Sequence, residues 1–159
     1  MDNLLAEFFR HHYPNPPASS QQIAAFEARM GWRLDAEMRA FYLHSNGGGL
    51  FAPMPNPKYG ILPLDEIQRA RVAIRGRDQE SAGPASHFTL VDMQDTDFVI
   101  VDVARRENDR YPLLDAFHET YPDETPLIAS SFGTFLEKAL QSRGRTFWLS
   151  SGLLRPRIS

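Results

Sequence analysis

His87-Phe88-Thr89-Leu90-Val91 and Phe98-Val99-Ile100-Val101-Asp102-Val103 are two β-rich runs, separated by the polar stretch Asp92-Met93-Gln94-Asp95-Thr96-Asp97. β-branched and aromatic side chains suit a pleated, half-buried surface. A short polar spacer between two such runs returns the second beside the first as an antiparallel pair. Leu113-Leu114-Asp115-Ala116-Phe117-His118 reads as a third strand of the same meander.

Upstream of this block the pattern changes to helical spacing. Leu4, Leu5, Phe8 and Phe9 share one side of a first helix, with Asp2 placed to cap it. Tyr13-Pro14-Asn15-Pro16-Pro17 ends that helix, since proline cannot continue one. Ser19 or Ser20 caps a second helix carrying Ile23, Phe26 and Met30, and Gly31 stands where a left-handed residue closes it. Asp35 caps a third, with Met38, Phe41 and Tyr42 inward. Asn46-Gly47-Gly48-Gly49 stops it. A proline-rich loop follows, then a short strand over Tyr59–Leu64 and a helix capped by Asp65 with Ile67, Ala70 and Ile74 on one face. Residues 75–86 read as a mobile polar loop.

Downstream of the meander, Ser130 or Ser131 caps a last helix bearing Phe132, Phe135, Leu136 and Leu140. Phe147-Trp148-Leu149 either docks on the core or forms a short edge strand. Helices, then strands, then a helix give an α+β class: one domain over residues 1–159, with a central, mostly antiparallel sheet flanked by helices. The length suits a single hydrophobic core.

The composition narrows the function. There is no cysteine, which removes disulfides, Cys-based metal centres and thiol nucleophiles together. The N-terminus lacks the basic start and apolar run of a secretory signal, and no stretch approaches the roughly 20 apolar residues of a membrane span. The expected location is the cytoplasm. Net charge is −3 but uneven. Residues 92–124 carry ten carboxylates against Arg105, Arg106 and Arg110, whereas the tail from 125 on is basic. An acidic middle argues against nucleic acid and suits a basic protein partner.

The order of motifs resembles the SUKH superfamily, which includes a fungal cell-wall-synthesis regulator and many bacterial toxin-immunity proteins. Four pieces carry the resemblance, across roughly residues 20–142. Phe26-Glu27-Ala28-Arg29-Met30-Gly31-Trp32-Arg33-Leu34 is similar to the family's opening. Met38-Arg39-Ala40-Phe41-Tyr42-Leu43-His44-Ser45-Asn46-Gly47-Gly48 is similar to its helix ending in Asn-Gly-Gly. Gly60-Ile61-Leu62-Pro63-Leu64-Asp65-Glu66-Ile67 resembles its strand-to-helix step, and Ile128-Ala129-Ser130-Ser131-Phe132-Gly133-Thr134-Phe135-Leu136 its closing helix. Two positions depart: the proline after the leucine is Asp35, and Gly133 sits where alanine would be favoured by about 1 kcal/mol. The resemblance implies an α+β domain that binds proteins, with no shared catalytic set. It implies most specifically an immunity protein for a cognate toxin, a nuclease or another cytosol-acting effector. The alternative is a non-catalytic adaptor for a host protein.

Readings with sharper chemistry fail on spacing. The three glycines lack the Lys-Ser/Thr of a phosphate loop and follow a helix rather than precede one. Asp92, Asp95 and Asp97 do not fit a calcium loop, whose sixth and twelfth positions would be Asp97 and Val103 counted from Asp92. The five histidines show no metal-ligand spacing, and Asp115, His118 and Glu119 form no recognisable acid–base set. No cofactor is expected. The expected partner contacts are Asp92, Asp95, Asp97, Asp102, Glu107 and Asp109, placed by charge density, with Trp148 as either core or interface anchor.

Overall fold

The computed structural model describes residues 1–149. The elements run α1 (Asp2–His11), β1 (Tyr13–Pro14), α2 (Ser20–Met30), α3 (Ala36–His44), β2 (Gly48–Leu50) and β3 (Tyr59–Ile61). A 3-10 turn (Leu64–Glu66) leads to α4 (Ala70–Arg75). Then come β4 (His87–Asp92), β5 (Phe98–Asp102), β6 (Leu113–Ala116), β7 (Leu127–Ala129) and α5 (Phe132–Gln141). All seven strands form one sheet in sequence order, and every neighbouring pair is antiparallel. The class is α+β, as the sequence implies.

The sheet separates two apolar layers of unequal size. Alternation along β5 makes the division visible: Val99 and Val101 face the main core, while Ile100 faces the other side. The main core is built with Leu5 and Phe8 of α1, Ile23 and Phe26 of α2, Met38, Phe41 and Tyr42 of α3, and Phe132, Phe135 and Leu136 of α5. On the back face Ala70 of α4 and Tyr121 cover Ile100, Leu114 and Ala116.

Local signals account for the helices. Ser19 accepts from Gln22 N, and the Gln22 side chain accepts from Ser19 N, closing a capping box. Gly31 takes the left-handed position after α2, at φ +80°. Asp35 is buried and works twice: one carboxylate oxygen caps α3 at Met38 N and the other accepts from Tyr111 N beyond β5. Ser131 is the cap of α5. Asp2, by contrast, lies inside the first turn of α1, where it faces the positive end of the helix without capping it.

Three further expectations are corrected. Gly48 and Gly49 continue into a buried strand, β2, instead of merely stopping α3. Asp65 caps no helix; it sits in the 3-10 turn, and α4 starts five residues later. The 75–86 segment is pinned: Asp78 binds Arg69 and Arg71, and the Arg71 guanidinium donates to Gly83 O. Of the two arrangements expected for Phe147–Leu149, the structure has the first: a 3-10 turn docked on the main core, with Tyr59 Oη accepting from Phe147 N. Arg155 and Arg157 of the basic tail lie outside the described residues.

Candidate protein-docking site

The back face is covered unevenly. Cross-strand pairing sets Tyr13, Gly49, Gly60, Asp92, Phe98 and Ala116 in one row, each opposite the next. Opposed residues of an antiparallel pair share a face, so this row crosses the back of the sheet. Tyr121 and α4 cover its Ala116 end. Pro57 and Met54 fold over Gly49, where a Cβ would stand 2.7 Å from Pro57 Cγ and 3.0 Å from Met54 Sδ. Between these covers the strip at Gly60, Asp92 and Phe98 is open.

Two cavities occupy the opening. One, of about 360 Å³, is lined by Leu62, Asp65, Glu66, Gln68, Thr89, Asp92 and Phe98 among others. The other, of about 170 Å³, lies between Met54–Pro57 and Gly60, and shares Leu62 and Asp92 with the first. Neither lining includes a lysine, arginine or histidine. Asp65 and Glu66 are exposed and Asp92 is half-buried, and none of the three forms an ion pair among the described residues.

The wall that carries Asp65 and Glu66 is held from the helical side. Tyr42 Oη donates to Leu62 O at 2.6 Å, Leu64 N donates to Asn46 Oδ1 at 2.9 Å, and an Arg29 guanidinium N–H reaches Leu64 O at 3.4 Å. Beyond the turn, Thr89 N donates to Gln68 O and Gln68 N to Thr89 Oγ1, which returns the chain to β4. Opposite, Gln94 N donates to Asp92 Oδ1, and the Gln94 amide donates to Pro57 O. Both rims are thus fixed by hydrogen bonds to the scaffold, the kind of preorganisation that lowers the ordering cost of binding.

The candidate residues separate into distinct environments. Asp92 lines the groove and Asp95 is exposed at the tip of the β4–β5 turn. Asp97 is turned inward, its Oδ1 accepting from His118 N and lying 2.7 Å from His118 Nδ1. Asp102 is buried, 3.5 Å from His87 Nε2, and accepts from Ala104 N. Glu107 and Asp109 are exposed on the β5–β6 hairpin, where Asp109 lies 3.8 Å from Arg106. Trp148 is half-buried, edge-on to Tyr59 and Phe147, and its Nε1–H has no acceptor among the described residues.

The two exposed acidic groups sit at opposite ends of β5, roughly 13 Å apart along the strand, so charge density alone merges two places into one. Asp65 and Glu66 escape a reading by charge density because they lie outside the acidic stretch. Their signal is the strand-to-turn step Gly60–Ile67 itself.

A second polar cluster lies on the back face. His87 Nδ1 lies 2.9 Å from Tyr121 Oη, completing an Asp102–His87–Tyr121 row. Burial lowers the His87 pKa, against the pull of Asp102, and pushes Tyr121 up to about 12. Both side chains are closed off from solvent, so the row serves as an internal brace. Among the described residues no group of three His, Asp or Glu is arranged to hold a metal ion. No helix there is long and apolar enough to cross a membrane.

The SMI1/KNR4 family model (SUKH-1) matches residues 17–138. The chain belongs to that family. The match begins just before the capping box of α2 and ends within α5, so it includes Asp65, Glu66 and Asp92 of the groove and the meander that floors it, while Tyr13 and Asn15 lie ahead of it. This SUKH-1 domain has a hydrogen bond between the Asn46 side chain and Leu64 N, which ties the Asn-Gly-Gly helix ending to the strand-to-turn step. Two motifs that look independent in sequence are one structural joint. No curated protein matches the chain.

Proposed function

We propose that the protein is a cytoplasmic immunity protein that neutralises a cognate bacterial toxin by binding it, without catalysis. The observation that carries this reading is family membership together with an open, uncompensated acidic groove on a braced sheet face. Bacterial members of the superfamily that the sequence resembles include many immunity proteins. A binding protein needs a rigid, accessible surface with complementary charge and few groups that must reorganise. The groove has those properties and carries a sign that suits a basic partner, such as a nuclease that itself grips phosphate. Blocking the toxin's active site or its access to substrate requires nothing further.

The test is affinity capture of the full chain from its native cells, followed by co-expression. One dominant partner at near-equal stoichiometry, toxic alone and harmless with this protein, is the expected result. Several housekeeping partners, or toxicity that persists on co-expression, would replace the immunity reading with a host-protein adaptor.

A further inference from the structure

We propose that the back-face groove docks a single extended segment of the protein partner, bearing arginine toward Asp92, Asp65 and Glu66 and an apolar residue toward Tyr13 and Met54. The proposal rests on the protein-binding reading above and specifies what that surface takes.

Two independent observations converge on the strip. The first is charge: three carboxylates line adjoining cavities that share Leu62 and Asp92 and have no lysine, arginine or histidine in their linings. The second is apolar exposure at the other end of the same row. Tyr13 is 42% exposed and Met54 48%, two of only five large hydrophobic side chains left so open among the described residues. Tyr13 stands opposite Gly49 and Met54 lies over that glycine, so Met54 borders the open strip and Tyr13 lies one strand further out, beyond the Met54–Pro57 cover. Exposed aromatic and thioether side chains beside a groove are the usual anchors of a protein interface.

The geometry favours an extended chain. The open part of the row, from Gly60 on β3 to Phe98 on β5, crosses two inter-strand spacings, about 10 Å. A segment that also passes over the Met54–Pro57 cover to reach Tyr13 on β1 spans four, about 19 Å. A fully extended stretch of about six residues covers that distance. Gly60 supplies a floor without a side chain, its nearest obstacle to an added Cβ being Asp92 O at 3.4 Å. The half-buried Phe98 ring supplies a flat surface beside Asp92, and a guanidinium can stack on such a ring while its N–H groups fork onto a carboxylate. Arginine therefore suits the acidic end better than lysine. Nucleic acid is disfavoured because its phosphates would meet three carboxylates.

The probe is the hexapeptide acetyl-LGVRTR-amide, titrated into the full-length ¹⁵N-labelled protein, with a citrulline-for-arginine version as control. Binding is expected to move the amides of Gly60, Gln68, Asp92, Gln94 and Phe98, and the citrulline peptide to leave them in place. The D65N/E66Q/D92N variant should weaken the arginine peptide roughly tenfold. Its substitutions are exposed or isosteric, and the side-chain amide introduced by D92N can still accept from Gln94 N, so the fold is retained and its amide spectrum verifies this. Shifts elsewhere, equal shifts with citrulline, or none at millimolar peptide would overturn the proposal. Co-expression separates it from the immunity reading. If the wild type rescues cells and the triple variant rescues equally well, the groove is not the docking site and immunity stands. If the peptide maps to the groove while the wild type rescues no cells, immunity falls and the docking surface stands.

Discussion

Gly47 stands at φ +81°, and a Cβ there would lie 2.5 Å from Ile61 O and 2.7 Å from Pro63 N. Both obstacles are backbone atoms, which cannot rotate aside. Glycine is required here twice over, by its dihedral and by the close approach of the strand that carries the groove wall. Gly47→Ala is expected to destabilise by more than about 2 kcal/mol in urea unfolding. Gly31 has a similar dihedral, φ +80°, with nothing within 4 Å, so Gly31→Ala should lose only about 1 kcal/mol. His87 makes a different argument at the same scale. Its partners are Asp102, Tyr121 and the more distant Arg105, and burial outweighs the pull of Asp102 to leave the folded-state pKa below 6.5. The native state therefore binds fewer protons at this site than the unfolded chain. Its contribution is complete above pH 6.5 and is lost as pH falls through the lower folded value. Unfolding free energy measured from pH 7.5 to 5 should decline in the wild type, and less steeply in His87→Gln.

At the scale of the element, α5 reverses an expectation. Gly133 occupies the first turn of that helix, where sequence propensity favours alanine. In the structure, however, Gly133 N donates to Glu37 Oε1, which also lies 3.5 Å from Arg110 Nε, and an added Cβ would stand 2.6 Å from Glu37 Oε2. The missing methyl makes room for the carboxylate that ties α5 to α3. Gly133→Ala should lower stability by about 1 kcal/mol in the wild type and raise it by about 0.5 kcal/mol in a Glu37→Ala background. A double-mutant cycle by thermal or urea unfolding reads the change of sign directly. The same distinction explains what was legible in the sequence. α2, α3 and α5 are encoded by caps and apolar spacing within a dozen residues, and β4 and β5 by runs of β-formers around one turn. β1 and β2 are not, because Tyr13–Pro14 and Gly48–Gly49 carry no strand signal of their own and exist as strands only through each other and β3. The groove was half legible for the same reason. Asp92 stood out in its acidic run, but Asp65 and Glu66 join it only because β3 pairs with β4 and the chain then swings out through the 3-10 turn.

Over the whole molecule, the acidic charge divides into parts with different expected roles. Glu107 and Asp109 project from the β5–β6 hairpin, exposed and about one strand length from the groove. Asp65, Glu66 and Asp92 line the groove itself. A carboxylate that is not in the contact still acts on an approaching basic protein through its field, within a Debye length of about 8 Å at physiological salt. A carboxylate in the contact acts on the lifetime of the complex, because its partner cation is desolvated only there. The two sets should therefore separate kinetically. With the captured protein partner on a biosensor surface, Glu107→Lys/Asp109→Lys should slow association severalfold at low salt, with the difference vanishing at high salt and dissociation unchanged. D65N/E66Q/D92N should instead speed dissociation roughly tenfold and leave much of that effect in place at high salt, where screening removes steering but not contact. If the hairpin pair governed dissociation and the groove set did not, the docking face would have to move to the opposite end of β5.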